Sequence, residues 1–217
     1  MAEARPETLE TAGGAGPLRR MPTQKRSRER VERMLDCATQ LISENGSDAL
    51  RMSELAEKAG VSIGSLYQYF PDKAAIILTL AERYNAMGRD CIRDELAGVE
   101  SIEDLPEAFA GLIDIYYAMF LAEPVMRDIW SGTQADAALR EIDLADSRSN
   151  AAMLEETILR LQPGADRAEV ADTAFLIINL GEATMRLAIS LKREEGDRMV
   201  SAFKRMVLRE LARVTGA

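Results

Sequence analysis

Apolar residues recur every three to four positions from Gln24 to the end of the chain, without sustained apolar/polar alternation, and this restricts the sequence to helices. The first stretch puts Val31, Met34, Leu35, Ala38, Leu41 and Ile42 on one face and ends at Gly46, a suitable residue beyond a helix C-terminus. A short helix over 52–58 follows, then a turn at Ala59-Gly60-Val61, a second short helix over 63–69, a stop at Pro71 and a long helix capped by Asp72. Later starts are signalled by Ser101 with Asp104, Thr133 with Asp136 and Asp166 with Glu169, each a capping side chain with an acid three residues on. Stops fall at Gly98, Ser131-Gly132, Pro163-Gly164 and Gly196. The expected fold is all-α with about nine helices. It comprises a three-helix head over 23–72, a larger helical domain over 73–217, and a disordered arm over 1–22, where Gly, Pro, Ala and charge lack periodicity.

A hydrophobic content of 47% in 217 residues suffices for a real core without staples. Cys37 and Cys91 sit in apolar-periodic segments and have no CxxC neighbour, which argues against a disulfide framework or a zinc site and fits a reducing compartment. The opening residues lack the apolar run of a secretory signal, and no later run approaches about 18 uninterrupted apolar residues. The expectation is a soluble, cytoplasmic protein without a membrane span. The absence of histidine removes Ser-His-Asp and Cys-His catalysis and the Glu-x-x-His carboxylate metal sites of helical bundles. No enzyme, metal or cofactor is expected.

The net charge of −9 is unevenly spread: between Pro17 and Arg33 seven cations, Arg19, Arg20, Lys25, Arg26, Arg28, Arg30 and Arg33, face only Glu29 and Glu32. A local cationic patch, rather than the total charge, decides whether a protein grips nucleic acid.

The stretch Leu55-Ala56-Glu57-Lys58-Ala59-Gly60-Val61-Ser62-Ile63-Gly64-Ser65-Leu66-Tyr67 has the spacing of a helix-turn-helix. Small Ala56 lets two helices approach, Gly60 supplies a positive φ for the turn, Val61 plugs the corner and Leu66 anchors the second helix. From Ser62 to Tyr69 the residues between the apolar anchors are small or hydrogen-bonding, which admits the second helix to a major groove about 12 Å wide. The turn spacing alone also suits a plain helical hairpin in a bundle.

The wider sequence over about 24–80 closely resembles the DNA-binding domain of the tetracycline-repressor (TetR) family. The resemblance rests on the Ala59-Gly60-Val61-Ser62 turn, Leu66-Tyr67-Gln68-Tyr69-Phe70, and the Pro71-Asp72-Lys73 entry to the next helix. It implies that Ser62, Ile63, Gly64, Ser65 and Gln68 meet bases and nearby phosphates, with Tyr67 and Tyr69 clamping phosphates. Ser53, in the first motif helix, is placed with them. Lys73 adds a charge in the first turn of a helix whose dipole and free N–H groups attract phosphate. Lys25 and Arg26 extend the grip from the basic segment. Two residues depart from the family pattern. Arg51 stands where Thr or Ser is usual and, as a long cation, reaches a phosphate but cannot cap its helix. Ile63 stands where Lys is frequent and touches a thymine methyl at most.

Beyond about Ala81 the resemblance is architectural only. Two late helices, over about 167–192 and 197–214, carry long apolar faces, and the resemblance implies that the last two helices form a four-helix dimer interface. Ala174, Ile178, Gly181, Met185, Phe203, Met206 and Val207 are the residues expected there. The alternative is that these stripes serve the subunit's own core. Aromatic and methionine residues concentrate where an adaptable ligand pocket would lie: Tyr84, Met87, Phe109, Tyr116, Tyr117, Phe120, Trp130 and Met153, with Ile113 among them. They equally fill an ordinary core. Asp114, Asn179 and Glu182 interrupt apolar runs and are the polar candidates for reading a ligand. Against that stands a simple i,i+4 pair between Glu182 and Arg186 on a wet or interface surface.

The expected function is a ligand-responsive homodimeric repressor binding a palindromic DNA operator, with a small-molecule effector. An activator or a ligand-independent DNA-binding protein of the same fold uses the same grip. An architectural DNA binder needs no long C-terminal domain, and an adaptor would bind no operator.

Overall fold

The computed structural model describes residues 25–132 and 137–216, and among them lie nine α-helices and no strand. Expectations for residues 1–24 and for the Thr133–Asp136 start lie outside the described residues.

Helix α1 (Lys25–Asn45) buries the six apolar residues that its periodicity aligned. It ends where the Gly46 N–H reaches back to the Ile42 carbonyl at 2.8 Å, with Gly46 at φ +81°. Helices α2 (Met52–Lys58) and α3 (Ile63–Tyr69) are joined through Gly60, whose φ of +65° makes the turn. The Val61 N–H closes that turn on the Ala56 carbonyl at 3.0 Å. Leu55, Ala56, Leu66 and Phe70 are buried together with the α1 stripe, so a short helix that would be marginal alone is held by tertiary packing.

Asp72 caps α4 (Lys73–Ala97) by accepting the Ala75 N–H at 2.9 Å. The start expected at Ser101 is three residues early, since the N-cap of the next helix is Asp104. Asp104 accepts the Ser101 N–H at 3.2 Å and its hydroxyl at 2.7 Å, closing a turn, and α5 runs Leu105–Ala122. Pro106 sits in the first turn of α5, where its missing N–H costs nothing. By length and composition α5 is the one described helix able to cross a membrane. Here it is a core helix that packs against α4, α6 (Pro124–Gly132), α8 and α9.

Helix α7 (Ala137–Leu161) is followed by α8 (Arg167–Ser190), which Asp166 caps by accepting the Ala168 and Glu169 N–H groups at 2.9 and 3.1 Å. Helix α9 spans Arg193–Thr215 and ends at Gly216, φ +67°. Gly196 is therefore not a stop. It lies in the first turn of α9 and a Cβ there would sit 2.5 Å from the Ala188 carbonyl oxygen and 2.9 Å from the Tyr117 hydroxyl. Close helix approach, not turn geometry, requires this glycine.

Candidate functional site

The head presents α3 as a displayed helix on a buried frame. Ser62 accepts the Ser65 N–H at 3.1 Å and so caps α3, while Leu66 and Phe70 anchor it. Ser62, Ile63, Gly64, Tyr67 and Gln68 are exposed and Ser65 is half-buried. A Cβ added to Gly64 would meet nothing within 4 Å, so this glycine leaves an open patch in the middle of the displayed face. Ser53 and Arg51 are exposed at the start of α2, and Arg51 makes no side-chain cap, as its length dictates. Lys25 and Arg26 are exposed in the first turn of α1. Lys73 donates to the Asp48 carbonyl at 3.0 Å, which ties α4 to the α1–α2 loop and holds the ammonium near the head surface.

Tyr69 departs from its expected role as a phosphate clamp. Its side chain is only 6% exposed and its hydroxyl shares a 2.7 Å hydrogen bond with Ser27 of α1, so it works as a polar rivet inside the head. The difference from Tyr67, 42% exposed, follows from helical geometry: two residues on, the side chain has rotated to the opposite side of α3.

The second domain holds a half-open cavity of about 70 Å³ between α4, α5, α7, α8 and α9. Of the expected pocket residues, Phe109, Ile113, Tyr116 and Glu182 line it. Tyr84, Phe120 and Trp130 instead form an edge-to-face cluster behind the wall: Tyr116 meets Phe120 at 5.1 Å, Phe120 meets Trp130 at 6.0 Å and Trp130 meets Tyr84 at 6.3 Å. Tyr117 is buried against the α8–α9 junction with Arg193 over its ring, and Met153 is half-buried against the core without reaching the cavity. Met87 is half exposed. Asp114 faces solvent and pairs with Lys204, since a carboxylate inside the core would lose its hydration. Asn179 turns its amide back on the Phe175 carbonyl at 2.9 Å.

Residues that sequence reasoning missed make up much of the wall: Gly88, Cys91, Ile92, Leu112, Asn150, Leu154 and Ile177. Gly88 carried a usable signal. A glycine in the middle of a long helix costs about 1 kcal/mol against alanine, and here a Cβ would come into ordinary contact, 3.9 Å, with the Tyr116 ring on the cavity wall.

One wall of the cavity is polar. Glu182, 5% exposed, shares a 2.8 Å hydrogen bond with the Ser147 hydroxyl. Asp146 is held by Arg89 and by the Asn150 amide at 2.9 Å, and Asp143 lies 3.6 Å from Arg186. Burial first, and the neighbouring Asp143 charge next, push the Glu182 carboxyl up to about 8. Burial also raises Asp143 and Asp146, against the opposing pull of their guanidinium partners. The i,i+4 pair anticipated between Glu182 and Arg186 is replaced by this larger cluster, since Arg186 turns to Asp143.

The expected interface residues mostly point inward. Ala174, Met185, Phe203 and Val207 are buried in the subunit's own core, and Ile178, Gly181, Met185 and Phe203 line the cavity. Only Met206, 67% exposed, stands outward. The outward apolar residues of α8 are Leu176, Leu180 and Leu187, exposed by 59%, 44% and 48% and spaced along a single face.

A helix-turn-helix head that displays α3 is set on a helical domain that holds a half-open cavity. Residues 34–80 match the bacterial regulatory proteins of the tetR family, and residues 103–215 match the tetracyclin repressor-like C-terminal domain. The chain belongs to the tetracycline-repressor (TetR) family, whose members are transcriptional regulators rather than enzymes. It is similar to the HTH-type transcriptional repressor KstR of Mycolicibacterium smegmatis, 36% identical over 72 residues, which is 33% of this chain and 35% of that protein. It is also similar to the HTH-type transcriptional regulator YvdT of Bacillus subtilis, 28% identical over 201 residues, covering 88% of this chain and 98% of that one. The chain thus matches about a third of the length of KstR. A solved structure, the transcriptional regulator FadR from Bacillus subtilis in complex with stearoyl-CoA, shares the fold with a TM-score of 0.59 at 19% identity, covering 86% of this chain and 99% of that one.

Proposed function

We propose that the protein is a cytoplasmic, homodimeric repressor that binds an inverted-repeat DNA operator through α3 and lets go when a small molecule occupies the cavity. The observation that carries the reading is the α3 surface: Ser62, Ile63, Gly64 and Gln68 stand exposed around an open glycine, on a helix fixed from behind by Leu66 and Phe70. Such a face fits base edges, while Tyr67, Lys73, Lys25, Arg26 and Arg51 supply phosphate contacts that set register. KstR, similar over 72 residues, is a repressor, and FadR, similar in fold, was solved with stearoyl-CoA, which supports a ligand-responsive repressor here.

The dimer face in this reading is the outward stripe Leu176, Leu180 and Leu187 of α8 together with Met206 of α9, rather than the inward residues the sequence suggested. Two such helices from each copy give a four-helix interface. The same division puts the head at about residues 23–72 and the sensing and dimerising domain beyond it.

The test is selection of genomic fragments by the purified protein, followed by a screen for metabolites that release them. Enrichment of one inverted-repeat site and its release by a metabolite support the reading. Binding that ignores sequence, or a monomer that protects a single half-site, overturns it.

A further inference from the structure

We propose that the cavity takes a compact apolar molecule bearing a protonated amine, the ammonium being held by the Glu182 carboxylate and the Asn150 side-chain carbonyl. This rests on the reading of the cavity as the effector site and names the chemistry of the effector.

The walls are apolar except on one side, and that side presents acceptors. Asn150 is 6% exposed and lines the cavity. Its amide nitrogen donates to Asp146 at 2.9 Å, and a carboxylate already bound by Arg89 offers only acceptors, so the amide cannot be turned over. Its carbonyl oxygen is left buried with no hydrogen-bond partner. An unmet buried acceptor is costly, and a donor arriving with a ligand removes that cost.

The charges point the same way. Three carboxyls, Asp143, Asp146 and Glu182, face two guanidiniums. Arg89 from α4 takes Asp146 and Arg186 from α8 lies against Asp143, which leaves Glu182 with the Ser147 hydroxyl. Tyr116 from α5 completes the surroundings and brings no positive charge. A ligand cation is the counter-ion that lets Glu182 ionise, and the Tyr116 and Phe109 rings that also line the cavity suit an apolar body. A ligand carboxylate would instead meet the Asn150 carbonyl, an acceptor like itself, and a Glu182 carboxyl whose one proton is already given to Ser147, so it would find no free donor there.

The proton inventory sets a signature. Ser147 lies within hydrogen-bond distance of both the Asp143 carbonyl, 2.9 Å, and Glu182, 2.8 Å, but has one hydroxyl hydrogen. A protonated Glu182 donates to Ser147, which then donates to the Asp143 carbonyl, and every hydrogen is used. The carboxyl stays neutral up to about pH 8. When the ammonium binds, the Glu182 proton leaves to solvent, Ser147 turns its hydrogen to the carboxylate, and charge balances. Amine affinity therefore rises as pH rises towards about 8, by up to about tenfold per unit.

The experiment is calorimetric titration of the full chain with benzylamine, benzyl alcohol and benzoate at about pH 6 and 8, in buffers of different ionisation enthalpy. The expected result is that benzylamine binds at least tenfold more tightly than the other two and releases close to one proton at the lower pH. Glu182→Gln should abolish the proton release, and Asn150→Ala should weaken benzylamine while keeping it. Equal binding of amine and alcohol, preference for benzoate, no binding of benzylamine, or amine binding without proton release each overturns the proposal. The wild-type series decides alone if a variant fails to fold. Operator affinity measured with and without saturating benzylamine separates the two readings: a bound amine that leaves operator affinity unchanged supports the amine site and contradicts the effector role.

Discussion

Asp128 of α6 accepts the backbone N–H of Ser47 at 2.9 Å, so a side chain of the second domain holds the loop between the first two helices of the head. On the same helix Trp130 meets Phe120, which meets Tyr116 on the cavity wall. Contiguous packing thus runs from cavity to head, and α6 is the element through which an occupied cavity would bias head position.

Asp128→Ala leaves the Ser47 N–H without this acceptor and should cost about 1–3 kcal/mol of stability. Asp128→Asn keeps an acceptor and should cost less. Hydrogen exchange is the direct readout: the Ser47 amide should exchange faster in Asp128→Ala and stay protected in Asp128→Asn, and equal protection in both would break the link.

Tyr67→Phe and Tyr69→Phe should separate cleanly. Loss of the Tyr67 hydroxyl should weaken binding to all DNA sequences with an unchanged melting temperature, because a phosphate contact carries little base information. Loss of the Tyr69 hydroxyl removes the Ser27 bond and should cost about 1 kcal/mol of stability. Lys73→Ala should lower the salt slope of DNA binding by about one unit and also loosen the Asp48 loop. Melting curves beside salt-dependent binding isotherms give the comparison.

Two glycines should respond in opposite ways. Gly64→Leu meets open space, so the protein should fold normally and lose its operator. Gly196→Ala drives a Cβ into the Ala188 carbonyl, and overpacking of this kind costs about 1–3 kcal/mol or more. Operator binding at a temperature where Gly196→Ala is still folded should be near normal.

The head was legible in the sequence because its constraints are local. Ala56, Gly60 and Leu66 act within one turn of chain, and their spacing states their roles. Tyr69 was misjudged because a family pattern does not show that α1 would offer Ser27 to its hydroxyl. The second domain was less legible because α8 is apolar on more than one side. Ile177 and Met185 face inward while Leu176 and Leu187 face outward, and periodicity alone does not say which stripe meets the subunit's own core. Asn150 and Ser147 look like surface residues on a polar helix, and only the packing of α7 on α8 buries them. Gly196 read as a stop because glycine requires either a turn or a close approach, and the approaching Ala188 comes from another helix.

The pH dependence of stability follows from Glu182. Its folded value of about 8 lies above the ordinary carboxyl value of 4.5. The neutral buried form therefore stabilises the fold fully below about pH 4.5, and the contribution declines as pH rises through about 8. Glu182→Gln stays neutral and should remove this slope, which is on the order of 1 kcal/mol per pH unit at most inside that window. Denaturation midpoints of both proteins across about pH 5 to 8 should diverge, with the wild type losing ground as pH rises; parallel curves would refute the assignment.

The central claim is that two copies read one symmetric DNA site through α3, and footprinting on genomic fragments selected by the protein, with sedimentation of the complex, tests it most directly. The account predicts one protected inverted repeat with half-site centres about 34–36 Å or a related groove repeat apart. It also predicts a complex containing protein in multiples of two, loss of protection in Gly64→Leu, and dissociation to monomers in Leu180→Glu. A single unpaired half-site bound by a monomer, or protection that survives Gly64→Leu unchanged, would contradict it.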